Sequence, residues 1–265
     1  MIHRSLASPL ASVLLAAATP TFAEPSPVPV ASNLPPSTLA PASAPRLPPA
    51  AELMQGLMKR LPSKSILLTG DLITTSTNAD DKAKVGVGIL LCYPTLAQYT
   101  IMDAFGRDRE QLTVHRNGGP ATLEYLTGSP LVKAVAPGLE TLIGGTALTW
   151  MDLTLSFLWW PDSKTIGITQ VLEQPCYVVD AHAPAGTPAP YASVRMWVNV
   201  KASMMMQAEG YNALGDPVRR ISVKSFKKIN DEWMIKDLEI RELKTDRTTI
   251  LRVRDAQPVG ASKAP

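Results

Sequence analysis

Fourteen consecutive residues, 148–161 (LTWMDLTLSFLWWP), constrain this chain more than any other stretch. They hold three of the five tryptophans, with Phe157, Met151 and four leucines, around a single charge, Asp152. A helix needs about twenty apolar residues to cross a bilayer, so the segment is too short to span one. It is also too apolar to lie open on a surface. It must be buried inside the fold, or cover something apolar that the protein carries. Thr149 followed three residues later by Asp152 is an N-terminal capping pattern, and Pro161 is a stop. The alternation of Met151, Leu153, Leu155, Phe157 and Trp159 would also suit a strand. Capping favours a helix that begins at Trp150.

Residues 1–23 read as a cleavable signal peptide. His3 and Arg4 give a weakly basic start, residues 6–18 an apolar run broken by Pro9, and Thr21-Phe22-Ala23 a cleavage site. An uncleaved anchor competes with this reading, but the run is short and no stop-transfer pattern follows. The chain is therefore expected in the periplasm. Residues 24–50 form a disordered, proline-rich linker: nine of its 27 positions are proline and only Glu24 and Arg46 are charged. Such a segment buries too little apolar surface to offset its ordering entropy. Residues 51–254 then make one domain and residues 255–265 a disordered tail. The net charge of +3 argues against nucleic acid as a partner.

The domain opens with a helix, because Leu53, Met54, Leu57, Met58 and Leu61 make one apolar stripe of helical period between Pro49 and Pro62. Strand signals follow at residues 65–75, 85–92, 96–105 and 111–116, with a weaker one at 121–126. Residues 130–145 look irregular, with a short helix around 131–135. Five more strands are expected at 171–180, 194–200, 204–211, 218–228 and 233–242, and a last one at 248–254. Polar turns around Asn212, Asn230 and Asp246 join the C-terminal strands into an antiparallel meander. The total is about ten strands with two or three helices, an α+β fold that is mainly β. Such a sheet must close or be covered to protect its edges.

Little in the chain supports catalysis. His115 and His182 have no metal-binding neighbour at ligand spacing, so no metal and no cofactor are expected. Asp103, Asp152, Glu173 and Asp180 are scattered carboxylates, and no nucleophile elbow, phosphate loop or dinucleotide fingerprint is present. Gly144-Gly145-Thr146 reads as a tight turn. Arg219, Arg220, Lys224, Lys227, Lys228 and Lys236 make a basic cluster, either a solvated outer face or a surface for anionic lipid headgroups. Parity along the strand places Arg219 and Lys227 on the face opposite Arg220, Lys224 and Lys228. Cys92 and Cys176 lie in apolar strand-like runs, where they either pack as free thiols or form a disulfide. The methionines are more telling: Met204-Met205-Met206 stand together, with Met196, Met234, Met54 and Met58 on other elements. Methionine adapts to irregular apolar shapes. A binding protein, not an enzyme, is expected.

The segments YTIMDAFGRDREQLTV, LTWMDLTLSFLWWP, PCYVV, YASVRMWVNV, QAEGYNALGDPVRRISVKSFKKI and EWMIKDLEI occur in this order. As a set they resemble the LolA-like outer-membrane lipoprotein-sorting proteins, in the broad branch and not the founding carrier itself. The resemblance covers most of residues 65–253. It implies a strongly curved, unclosed antiparallel β-sheet, a LolA/LolB-like half-barrel whose concave face helices cap over a cavity for acyl chains. Ala147 stands where relatives often carry an acidic residue, and the founding carrier's lid-latching arginine has no identified counterpart. The function expected is that of a periplasmic carrier or chaperone that shields lipoprotein acyl chains, or another lipid. The alternative is an envelope sensor or adaptor that binds a membrane-protein partner. The implied acyl-chain residues are Trp150, Met151, Leu153, Leu155, Phe157, Leu158, Trp159 and Trp160 from the apolar segment, as cap or lining. Met54, Leu57 and Met58 join from the first helix, and Met196, Met204 and Met206 from the sheet. A monomer is expected, with an inner-membrane transporter or an outer-membrane receptor as protein partner.

Overall fold

The computed structural model describes residues 46–260 apart from 63, 79, 81, 93, 118, 119, 230, 231 and 246. The expected signal peptide, most of the linker and the last five residues lie outside the described residues. Helix α1 spans Ala50–Met58. Proline presets the backbone for a helix start, and the Pro49 carbonyl accepts from the Glu52 and Leu53 amides. Glu52 lies in the first turn, where a negative charge complements the helix dipole. Ala50, Met54 and Leu57 form the buried side.

Thirteen strands make one antiparallel sheet. The first six are β1 Ile66–Thr75, β2 Ala83–Cys92, β3 Leu96–Met102, β4 Asp108–His115, β5 Thr122–Thr127 and β6 Val132–Ala134. After helix α2, Trp150–Thr154, and a 3₁₀ turn, Ser156–Trp159, come β7 Asp162–Val171, β8 Gln174–His182, β9 Ser193–Asn199 and β10 Met205–Tyr211. Last are β11 Pro217–Ile229, β12 Glu232–Glu242 and β13 Thr248–Pro258. Their spatial order is β6-β5-β4-β3-β2-β1-β13-β12-β11-β10-β9-β8-β7. The strands β6 and β7 are thus the two edges, and the sheet is an unclosed, strongly curved half-barrel capped by the helices.

This order explains where the apolar segment sits. The chain leaves the sheet at one edge, β6, and re-enters it at the other, β7. The connection must cross from edge to edge, and it carries α2 and the 3₁₀ turn over the buried face. That face comes from strand alternation: in β3 and β9 every second residue is buried, among them Ile101 and Met196. They form one core with Trp150, Met151 and Phe157 of the connection.

Three expectations are corrected. Residues 132–134 form strand β6, not a short helix, because they pair with β5 through Tyr125–Ala134 and Thr127–Val132. Strand β7 was not expected: it is an edge strand, mostly exposed, so it lacks the apolar alternation that marks the others. The last strand continues to Pro258, paired with Ile66, so residues 255–258 are strand and not tail.

The outer face is laced by cross-strand ion pairs, including Arg220–Glu209 at 2.7 Å, Lys224–Glu239 at 3.7 Å and Arg252–Asp237 at 3.0 Å. Arg220 and Lys224 of the basic cluster thus lie on a solvated face with carboxylate partners. Parity fails within it, because the register of β11 against β12 shifts on both sides of Ser225. Arg219 points inward with Ile221 and Val223, whereas Lys227 is exposed.

Candidate functional site

Helix α2 is only five residues long, too short to hold itself together, so its position comes from its anchors. Thr149 and Asp152 form a capping box: the Asp152 amide donates to Thr149 Oγ1 at 3.2 Å, and the Thr149 amide donates to Asp152 Oδ2 at 2.9 Å. Asp152 is fully buried. Its carboxylate also accepts from the Tyr191 hydroxyl and pairs with Arg219 at 3.2 Å. The Arg219 guanidinium donates to the Ala147 carbonyl as well and reaches Glu242 at 3.9 Å. A buried carboxylate is tolerated only when paired and hydrogen-bonded, and this one is both. Burial first, and then the Asp152 charge, push the Tyr191 hydroxyl well above the usual tyrosine range, so it stays a donor. Tyr191 reaches Asp152 because its ring lies on Gly210, where a Cβ would stand 2.4 Å from ring carbon Cδ1.

The turn before α2 is anchored too. Gly144 and Gly145 take positive φ, as the expected tight turn requires, and Arg247 donates to the Gly145 carbonyl at 3.2 Å. The Ala147 amide donates to Thr249 Oγ1 at 3.2 Å, which fixes the loop to strand β13. Beyond the helix, packing holds the connection: Phe157 and Trp160 are buried in the core. Leu155 takes the left-handed conformation, φ 50°, and separates α2 from the 3₁₀ turn. That conformation is costly for leucine and marks the point where the connection changes direction.

Between this cap, α1 and the sheet lies a cavity of about 220 Å³. Leu57 and Met58 line it from α1, Leu61 from the turn after it, and Leu153, Leu155, Leu158 and Trp159 from the cap. Met204 and Met205 line it at the start of β10. The sheet supplies a floor that sequence reasoning did not single out, including Leu68, Ile89, Ala97, Tyr99 and Leu251. Their strand alternation marks them as inward-facing, but it does not say which inward residues meet a void. The exposed lining residues Arg60, Pro94, Trp159 and Trp233 mark the mouth. Arg60 and Arg116 are the charged residues of the lining among the described residues.

Of the residues expected to contact an acyl chain, Leu57, Met58, Leu153, Leu155, Leu158, Trp159 and Met204 therefore line the cavity. Trp150, Met151, Phe157, Trp160, Met54 and Met196 do not: they are buried in the core that seats the cap. Trp150 packs edge-on to Tyr125, with ring centroids 6.3 Å apart, and Phe157 likewise meets Trp160 at 6.5 Å. Met206 does not line the cavity, whereas Met205 does. The register of β10 against β9 shifts between Met205 and Gln207, so strand alternation does not carry through this bulge. Cys92 and Cys176 are free thiols: β2 and β8 are seven strand steps apart in the sheet, and no disulfide links them. Among the described residues no three His, Cys, Asp or Glu side chains gather as a metal site, and no helix is long and apolar enough to cross a membrane.

The model of a family of uncharacterized proteins matches residues 107–260, more than half of the chain and all of the cap. The chain belongs to that family. Solved structures share its fold. A DUF1329 family protein from Desulfovibrio piger aligns at TM-score 0.67 and 10% identity, covering 79% of this chain and 92% of that one. A LolA superfamily protein from Nitrosomonas europaea aligns at 0.65 and 14%, covering 81% and 95%. A proposed outer-membrane lipoprotein-sorting protein domain from Vibrio parahaemolyticus aligns at 0.62 and 12%, covering 80% and 91%. No curated protein matches the chain in sequence. The fold of this family member is LolA-like, as the ordered sequence segments imply.

Proposed function

We propose that this protein is an exported, periplasmic carrier or chaperone that shields an acyl chain in the cavity beneath its cap, in the service of outer-membrane lipoprotein sorting. The observation that carries this is the lining. A cavity of about 220 Å³ under an edge-to-edge cap is walled almost wholly by apolar side chains and opens between two exposed tryptophans. A methylene group is close in size to a water molecule, which occupies about 30 Å³, so the cavity takes roughly seven of them. At about 0.8 kcal/mol each, their burial offers roughly 6 kcal/mol gross. A full-length chain extends beyond the cavity through the mouth. The shared fold with a proposed lipoprotein-sorting domain supports this choice of cargo.

Native mass spectrometry of the protein released gently from the cell envelope tests the proposal. The expected spectrum shows a lipid or lipopeptide adduct that organic extraction removes. A protein that arrives empty, and co-purifies stoichiometrically with one membrane protein, would instead establish a sensor or adaptor.

A further inference from the structure

Two guanidinium groups lie along the lining of the cavity. Arg60 and Arg116 are its charged members among the described residues, both are cations, and no carboxylate among those residues shares the lining with them. Arg60 follows α1 and is exposed at the mouth. Arg116 follows β4, is half-buried, and its amide donates to the Thr95 carbonyl at 2.7 Å, which ties it to the turn that carries Pro94. Its guanidinium carbon stands 3.6 Å from the centre of the Trp159 ring, so the cation is held in a fixed plane against the cap. The Tyr99 ring is buried in the same wall. Burial pushes its hydroxyl up to about 12, and the Arg116 charge acts against that rise, so the two groups are electrostatic neighbours. Arginine, with its planar donor fork, suits a carboxylate or a phosphate.

We infer that the cavity selects acyl lipids that end in an anionic group, with the chain under the cap and the carboxylate or phosphate held at the mouth by Arg116 and Arg60. Tyr99 adds a neutral hydroxyl donor from the wall. This deepens the lipid-binding function proposed above and rests on it. Partial exposure at the mouth makes the preference salt-dependent, because screening weakens solvent-exposed charge pairs.

The test compares cis-parinaric acid with its methyl ester, which share one fluorescent chain and differ only in charge, on the full chain. The acid is expected to bind about tenfold more tightly than the ester at low salt. Arg116→Gln is expected to bring the acid to the level of the ester and leave the ester unchanged. Arg60→Gln, at an exposed position that cannot unfold the domain, is expected to reduce the preference severalfold. Equal binding of acid and ester by the unaltered protein overturns the inference and leaves acyl binding intact. Binding of neither compound overturns the lipid-binding function and the inference with it. Competition with oleate and with dioleoyl phosphatidate then separates a fatty acid from an anionic phospholipid as the source of the charge. Displacement by neither also overturns the inference.

Discussion

Replacing Arg219 by methionine tests how the cap is held. The change keeps much of the side chain's apolar length but removes the guanidinium that pairs with Asp152 at 3.2 Å and donates to the Ala147 carbonyl. Asp152 is then fully buried without a counter-charge, keeping only its Thr149 and Tyr191 donors. Removing one partner of a buried pair costs about 3–5 kcal/mol, because the remaining charge has lost both water and its counter-ion. In a domain of this size each kcal/mol moves Tm by about 2–4 °C, so the expected fall is roughly 6–20 °C. The double variant Arg219→Met, Asp152→Asn leaves no orphaned charge and should recover most of the loss. Thermal and urea unfolding followed by circular dichroism measure both variants. A fall of less than about 1 kcal/mol for Arg219→Met would show that the pair does not anchor the cap.

Gly210→Ala should cost about 1–3 kcal/mol or more in urea unfolding, since its Cβ would meet the Tyr191 ring at 2.4 Å and push the hydroxyl off Asp152. Ala97→Leu, which places a larger side chain in the cavity wall, should weaken acyl binding at least about fivefold while Tm changes by only a few degrees. Phe157→Ala, in the core behind the cap, should instead cost about 3–5 kcal/mol of stability. Stability should also fall in alkali. Tyr99 and Tyr191 have hydroxyls raised above the tyrosine value of 10.0, Tyr99 to about 12, so the folded state holds these protons longer than the unfolded chain. Their contribution is fully present below about pH 10 and is lost as pH rises toward the folded-state value. Tm measured between pH 8 and pH 11 should therefore begin to drop near pH 10, and more shallowly in Tyr99→Phe.

Much of this architecture was legible in the chain because it rests on local patterns. The stripe Met54, Leu57, Met58 between prolines gave α1, and alternation gave most strands. Thr149 and Asp152 gave the start of α2. Its end was not legible: the helix stops at Leu155 and not at Pro161, because leucine carries no signal for the left-handed conformation. Strand β7 was missed because an exposed edge needs no apolar face. The site was legible only in part. Arg219 reads locally as one more basic residue on a strand, and only the fold brings it to a carboxylate 67 positions earlier in the chain. Trp150 and Phe157 read as greasy cap, and so they are, but both face the core and not the void. Hydrophobicity alone does not separate a residue that packs against protein from one that faces a ligand. Met205 and not Met206 lines the cavity, beside a bulge set by pairing with β9.

The central claim is that an acyl chain lies between the cap and the curved sheet. A fatty acid carrying a diazirine on its chain, photolysed with the full-length protein and mapped by peptide mass spectrometry, tests it most directly. Label is expected on Leu68, Ile89, Met204 or Met205 of the sheet side and on Leu153, Leu155 or Leu158 of the cap. Label spread over exposed apolar residues elsewhere, such as Phe105, Leu172 and Leu214, with none in the cavity, would contradict it.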